Sequence, residues 1–460
     1  MLNPSCPATC LMSMPDDALW EDTLAGDEHA CEASLRQQYP APYAHARRPT
    51  SDAAAAKDSI LDVFQRLWPR RARLGHLGAL LSFLSFSFPL FRMKKILLLL
   101  LGLALLGAPA AQAQKVKTKA KGGAATLATG QDRRWSADKA NAWYKTQPWM
   151  TGANFIPSTA INQLEMWQAA TFDPQTIDKE LGWAEGIGFN TMRVFLHSLA
   201  WNEDQAGFKK RLNDYLAIAD KHHIGTIFVF FDDCWNKDPK VGTQPVPKTG
   251  IHNSGWEQDP GDPASRDSAT FGQLRPYVTD VLTSFAHDKR IVLWDLYNEP
   301  GNSSKGMASL PLLRNVFAWA EAVRPDQPLS AGLWNWDFTT LNTFQATHSD
   351  VITYHDYDEV AAHQRVIELL KTHGRPLICT EYMARPRNSR FVNILPLLKK
   401  YNVAAINWGL VAGKTNTKYA WDTPLADGSE PGEWFHEVFR PDGTPYRQDE
   451  VDFIKKTTAK

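Results

Sequence analysis

Two glutamates in this sequence each close an apolar run. Leu293-Trp294-Asp295-Leu296-Tyr297-Asn298 leads into Glu299 and Pro300, and Leu377-Ile378-Cys379-Thr380 leads into Glu381. A carboxylate at a buried strand end is costly unless it is paired or hydrogen-bonded. Two of them facing one another suit the cleavage of an acetal: a protonated carboxyl gives its proton to the leaving oxygen, while an ionised one attacks the anomeric carbon or activates water. A gap of about 5–5.5 Å between the carboxyls corresponds to retention of configuration, and a wider one to inversion. A single strand-end Glu is more readily explained as a structural ion-pair partner. Two, standing beside Asn298 and Tyr382, weigh towards chemistry.

Something must bring residues 82 positions apart together. Eight β-rich runs alternate with helical patterns, at Trp149–Pro157, Asn190–His197, Gly225–Asp233, Ile291–Pro300, Leu329–Trp334, Val351–Tyr357, Pro376–Met383 and Ala404–Leu410. Several are apolar with little alternation, as strands buried on both faces are. Between them, Asp173-Pro174 reads as a helix start followed by a face of Ile177, Leu181 and Ala184. Phe208, Leu212, Tyr215, Leu216 and Ala219 form another face, as do Tyr277, Val278, Val281, Leu282 and Phe285. A later face carries Val366, Leu369 and Leu370 and ends at Gly374. The expected fold is an α/β (β/α)8 TIM barrel, with its site on the loops that follow the strands. A doubly wound open sheet is the alternative. It is weakened by Gly152-Ala153-Asn154-Phe155, which stands after the first strand where a Gly-rich phosphate turn is needed. The long connections from about Cys234 to Gly272 and from about Val411 to Gln448 lie on the site face and are expected to wall a cleft.

The chain has 460 residues, 50 basic and 50 acidic, for a formal net charge of zero. With no excess positive charge, nucleic acid is not an expected partner. A 43% hydrophobic and 22% charged composition is that of a globular protein rather than a disordered one. Seventeen Trp suggest a surface that stacks on something flat as well as core. Met93-Lys94-Lys95, the apolar stretch Ile96 to Ala108 and Ala111-Gln112-Ala113 together read as a secretory signal over residues 93–113. Residues 1–92 then read as a gene-start artefact or leader, 114–130 as a flexible linker, and 131–460 as the catalytic domain. A signal anchor with a cytoplasmic tail is the rival. The apolar stretch is short for a membrane span, so the expectation is a secreted or periplasmic protein, monomeric, with no stable membrane anchor after cleavage. Cys6, Cys10 and Cys31 leave with the leader. Cys234 and Cys379 remain, either paired or as two free thiols.

The segment Leu296-Tyr297-Asn298-Glu299-Pro300 resembles the Asn-Glu-Pro signature of clan A glycoside hydrolases. Ile187-Gly188-Phe189-Asn190-Thr191-Met192-Arg193-Val194 is similar to the second-strand motif of glycoside hydrolase family 5, the cellulase and mannanase family. His355-Asp356-Tyr357 matches that family's His-x-Tyr on strand six, and Trp408 its Trp after strand eight. The resemblance spans about Trp143 to Gly413. It implies a retaining β-glycosidase in which Glu299 is the acid/base and Glu381 the nucleophile. It further implies that Asn298 bonds the sugar 2-hydroxyl, that Arg193 holds Glu381 ionised by lowering its pKa, and that Tyr357 is a second partner of the nucleophile. His355 is implied to touch sugar or Glu299, and Trp408 to floor the ring at the cleavage point. The family usually has a His after strand three, whereas this chain reads Phe230-Phe231-Asp232-Asp233-Cys234-Trp235. There Asp232 or Asp233 is expected to bind a hydroxyl or only to cap the loop. This departure points to a divergent branch.

The implied substrate is a β-linked glycan of the β-mannan, β-glucan or xylan type. Trp235, Trp334, Trp336, Trp421 and Trp434 are candidate stacking platforms, with one or two expected to touch sugar. No cofactor and no metal site are expected: His222-His223 are adjacent on a helix and do not face each other, and His252 lacks ligand spacing. Two other classes stay open. One is a catalytically silent glycan-binding barrel, which both Glu residues argue against. The other is a metal-dependent sugar isomerase, which loss of activity in chelator would reveal.

Overall fold

The computed structural model describes residues 133–459. The expected leader at 1–92, export signal at 93–113 and linker at 114–130 all lie outside the described residues. The strands are β1 Thr151–Asn154, β2 Thr191–Phe195, β3 Gly225–Asp232, β4 Ile291–Asn298, β5 Leu329–Ser330, β6 Ile352–His355, β7 Leu377–Glu381 and β8 Ala404–Trp408. Each lies inside the apolar run that predicts it. All the pairings between them are parallel, in the order β5-β4-β3-β2-β1-β8-β7-β6. The last gap closes through a parallel bridge between Leu333 and Tyr354, just past β5. Since β1 pairs with both β2 and β8, the sheet is a closed (β/α)8 barrel rather than a doubly wound one.

The helices are α1 Ala137–Thr146, α2 Gln163–Trp167, α3 Pro174–Glu185, α4 Ser198–Glu203, α5 Gln205–Lys221, α6 Phe271–Ser284, α7 Leu310–Val323, α8 Thr339–His348, α9 Val360–Lys371, α10 Phe391–Lys400 and α11 Gln448–Thr458. α3 starts as its residues dictate: the Asp173 side chain accepts from Thr176 N, and Pro174 needs no intrahelical donor. Ile177, Leu181 and Ala184 are buried against the barrel. In α9 the expected face is offset. Leu369 is 59% exposed, and His363, Ile367 and Leu370, spaced four and three apart, form the buried stripe.

Two layers fill the barrel bore. Ile227, Leu293, Ile378, Ala404 and Ile406 pack with Trp135 and Ala140 of the α1 region, which closes the strands' N-terminal end. Towards the other end the interior turns polar, with Arg193 and Asp295 wholly buried. That order puts the charged groups at the mouth where barrel sites are built. Strand register matters here. Along β6 and β7, Tyr354 pairs with Cys379 but His355 pairs with Glu381, so Thr380 is an extra residue. A bulge of this kind re-aims the next side chain. Glu299 follows β4 with φ at +45, a left-handed conformation uncommon for a non-glycine residue and enriched at functional sites. Cys234 and Cys379 are free, buried thiols. Among the described residues no helix is long and apolar enough to cross a membrane.

The fold also buries ionisable groups that the chemistry does not use. Burial pushes Glu437 and Asp259 up to about 8 and Glu180 to about 7. It pushes His252 down to about 4, and His197 and His363 to about 3. The carboxyls bind protons more tightly folded than unfolded, so stability falls as pH rises from their ordinary 3.8–4.5 towards 8. The histidines bind protons less tightly folded, so stability falls as pH drops below 6.5. The melting temperature is therefore expected to peak between about pH 4.5 and 6.5 and to decline on both sides, which a thermal series across buffers checks directly.

Candidate active site

Arg193 on β2 is the hub of the barrel mouth. Its Nε and Nη2 donate to Asp295 Oδ2 at 3.0 and 2.8 Å. Its Nη1 donates to Asn154 Oδ1 at 2.8 Å and to Glu381 Oε1 at 2.9 Å, and Nη2 also reaches Asn298 Oδ1 at 2.7 Å. One fully buried guanidinium thus ties the ends of β1, β2, β4 and β7 together, a task that needs the five-donor fork of Arg rather than the point charge of Lys.

Glu381 accepts a second hydrogen bond at Oε2, from the Tyr357 hydroxyl at 2.8 Å. His355 Nδ1 lies 2.8 Å from Glu299 Oε1 and 3.4 Å from Glu381 Oε2. With an acceptor on either side, Nδ1 is the protonated nitrogen of a neutral ring, and burial keeps the ring neutral by lowering its pKa to about 4. Glu299 Oε2 meets Cys234 Sγ at 3.3 Å and the Asn302 amide. Glu299, His355 and Glu381 each present an atom within 4.8 Å of the others, so the two carboxyls converge on one space. Three such donors could also face a cation, but Arg193 already brings positive charge to 2.9 Å from Glu381.

The electrostatics differ from expectation in one respect. Arg193 was expected to leave Glu381 with a lowered pKa. Instead burial raises Glu381 to about 7, with His355, Arg193 and Tyr357 opposing the rise and the neighbouring Glu299 adding to it. The cause is burial, which outweighs the lowering that Arg193 does supply to Glu381 while it also serves Asp295. Burial raises Glu299 as well. The two groups titrate as a pair. Once a single proton is left between them it rests on Glu299, because Glu381 faces a cation and a phenol while Glu299 faces only neutral donors, a thiol, an amide and the His355 ring.

At the end of β3 the two acids take the second of their two expected roles, capping the loop. Asp232 is 1% exposed, and its oxygens are filled by Asn298 Nδ2 at 2.9 Å, Cys234 N at 2.9 Å, Trp256 Nε1 at 2.7 Å and Gln163 Nε2 at 3.4 Å. No lone pair is left for a sugar hydroxyl, so Asp232 holds Asn298 and caps the following loop instead. Asp233 clamps the turn after Glu299, accepting from Gly301 N at 2.8 Å and Lys305 Nζ at 2.7 Å. Trp408 stands at the end of β8, partly open, with its ring edge-on to Phe195 and Trp256.

Of the five candidate platforms, Trp235 is the most open at 40%. Trp334 is tied by Nε1 to Pro300 O at 3.1 Å, just past Glu299. Trp336 packs partly buried against the main core. Trp421 sets its edge on Tyr357, with ring centres 4.9 Å apart. Trp434 is 5% exposed and stacked on Tyr446, so it is packing. The two long loops join each other, with Asn253 N donating to Thr415 O and His252 Nδ1 set 2.8 Å from Tyr419 O. Asn154, Asp295, Cys234 and Asn302 are site residues that motif matching passed over. A lone acid inside the apolar run of β4 was the available signal for Asp295.

No family model and no curated protein matches this sequence. Solved structures do. An endo-β-1,4-mannanase from Thermotoga petrophila aligns over 68% of this chain and 77% of its own, at 14% identity and TM-score 0.44. A GH5_18 protein from Streptomyces cattleya, solved with GlcNAc, aligns over 67% and 79%, at 12% and 0.46. An endo-1,4-β-mannanase from Rhizomucor miehei aligns over 68% and 95%, at 12% and 0.46. The chain is similar to these proteins at low identity. The barrel itself is established by the strand order.

Proposed function

We propose that this chain is a retaining β-glycosidase that hydrolyses O-glycosidic bonds in a β-linked glycan of the β-mannan, β-glucan or xylan type. The observation that carries the reading is the convergence of Glu299 and Glu381, with oxygens within 4.8 Å, on one space at the barrel mouth. That spacing suits the narrow gap of a double displacement better than the wider one that must hold a water. Glu299 gives its proton to the glycosidic oxygen as that bond breaks, and a Glu381 oxygen forms an ester bond to the anomeric carbon. Glu299, now ionised, takes a proton from water as the water oxygen replaces Glu381, returning the carbon to its starting configuration.

The surrounding residues divide the remaining work. Asn298 Nδ2 keeps one hydrogen on Asp232, and its other rests on the Cys234 sulfur at 3.4 Å, a weak acceptor that it exchanges for the sugar 2-hydroxyl when substrate binds. His355 bridges the pair, and Trp408 floors the ring under attack. Trp235 and Trp334, on the Glu299 side, stack the neighbouring sugars. The motif at residues 93–113 supports export to the periplasm or medium.

A panel of β-linked polysaccharides and oligosaccharides, assayed for new reducing ends, tests the reading. Release by the wild-type chain, lost on Glu299→Gln, is the expected result. Binding without release across the panel would replace it with a glycan-binding barrel.

A further inference from the structure

The thiol of Cys234 occupies a position that motif matching leaves empty, and its surroundings give it a direction. Its sulfur receives two amide hydrogens, from Asn298 Nδ2 at 3.4 Å and Asn302 Nδ2 at 3.3 Å. Asn302 is oriented by its own oxygen, which accepts from Ser303 N, and Asn298 by Arg193. The sulfur's own hydrogen has two carboxyls in reach, Glu299 Oε2 at 3.3 Å and Asp232, and Asp232 already takes the Cys234 N–H and three other donors, which leaves Glu299 as the more open acceptor. The Cys234 backbone is fixed as well, since its N–H is held by Asp232. We infer that Cys234 is a positioning residue that sets the proton affinity of Glu299 by offering it a deliberately weak donor. This rests on the reading of Glu299 as the acid.

An S–H donates far more feebly than an O–H or a cationic N–H. A strong donor here would stabilise the ionised carboxylate and lower its pKa, leaving little acid at neutral pH, whereas a general acid works best with its pKa near the working pH. Other charged and titratable groups face Glu299 from the elements around it. These are Arg193 from β2, Asp232 and Asp233 from the end of β3, His355 and Tyr357 from the end of β6, and Glu381 from β7. Exchanging Cys234 alters none of their side chains, and among them only Asp232 also meets the thiol. Burial and the nearby carboxylates push the thiol well above its ordinary range, so it keeps its hydrogen throughout the pH range of interest.

The test is a graded series at one position. In a Glu381→Gln background, where Glu299 titrates alone, its midpoint is read by carboxyl-carbon NMR of glutamate-labelled protein. Cys234→Ser supplies a stronger donor and is expected to lower the midpoint by roughly half a unit. Cys234→Ala removes the donor and is expected to raise it. The order Ala above Cys above Ser supports the inference, and an unchanged or reversed order overturns it. Loss of packing alone has no reason to produce that order. With Glu381 restored, the basic limb of the pH profile of kcat/KM follows the midpoint if Glu299 is the acid. A midpoint that moves while the limb stays put supports the contact and counts instead against Glu299 as the acid.

Discussion

Replacing Glu381 by Ala is expected to lower turnover by a factor on the order of 10⁴ or more while leaving the folded chain intact. The side chain lies at a strand end, and what the substitution removes is the atom that bonds to the anomeric carbon. It also opens a space beneath the sugar, beside Arg193 and the Tyr357 hydroxyl, that fits a small anion. Azide is therefore expected to restore part of the rate on a substrate with a good leaving group. The product should be a glycosyl azide of inverted configuration, because the external nucleophile makes a single displacement. Near-normal turnover without azide, or an azide product of retained configuration, would remove Glu381 from the nucleophile's role.

Arg193→Ala is expected to damage both stability and chemistry, and the two losses are separable. The substitution strands Asp295, which is wholly buried and bonded to Arg193 through one oxygen while the other has no partner. Breaking such a pair from one side costs about 3–5 kcal/mol, read as a fall in the denaturation midpoint. It also withdraws the cation from Glu381, so the acid limb of the pH–rate profile should move upward. Asp295→Asn added to Arg193→Ala should recover part of the stability, because the wholly buried Asp295 carboxylate is then gone and Glu381 alone lacks its cation, without returning the acid limb. A limb unmoved in Arg193→Ala would mean that the guanidinium serves the scaffold and not the nucleophile.

The strands were legible because parallel barrel strands are buried on both faces and so write themselves as short apolar runs between turns, as Ile227 to Phe231 does. Glu299 and Glu381 were legible because each closes an apolar strand and a closed barrel brings strand ends to one mouth, whereas Arg193, His355 and Tyr357 were legible only through the motifs they resemble. What the sequence could not show is how one charge is shared across strands. Residue order shows neither that Arg193 also serves Asp295 nor how deeply Glu381 lies, and burial outweighs the lowering that Arg193 supplies. Asp232, acidic and at a strand end, read equally as a sugar ligand or a loop cap. Four donors from β4, the loop after β3 and α2 occupy it, and three of those contacts span 24 residues or more. Cys234 escaped notice for a related reason: a thiol at the end of β3 matches no motif, whereas the two amides around its sulfur give it a defined donor direction.

The central claim is that a Glu381 oxygen becomes bonded to sugar during turnover. Incubating the wild-type chain with a fluorosugar that carries a good leaving group should slow the second displacement enough to hold that ester, and peptide mapping by mass then locates it. One sugar per chain on the peptide containing Glu381, absent in Glu381→Gln, is the predicted result. A label on any other residue, or none from a reagent whose parent glycoside is hydrolysed, would contradict it.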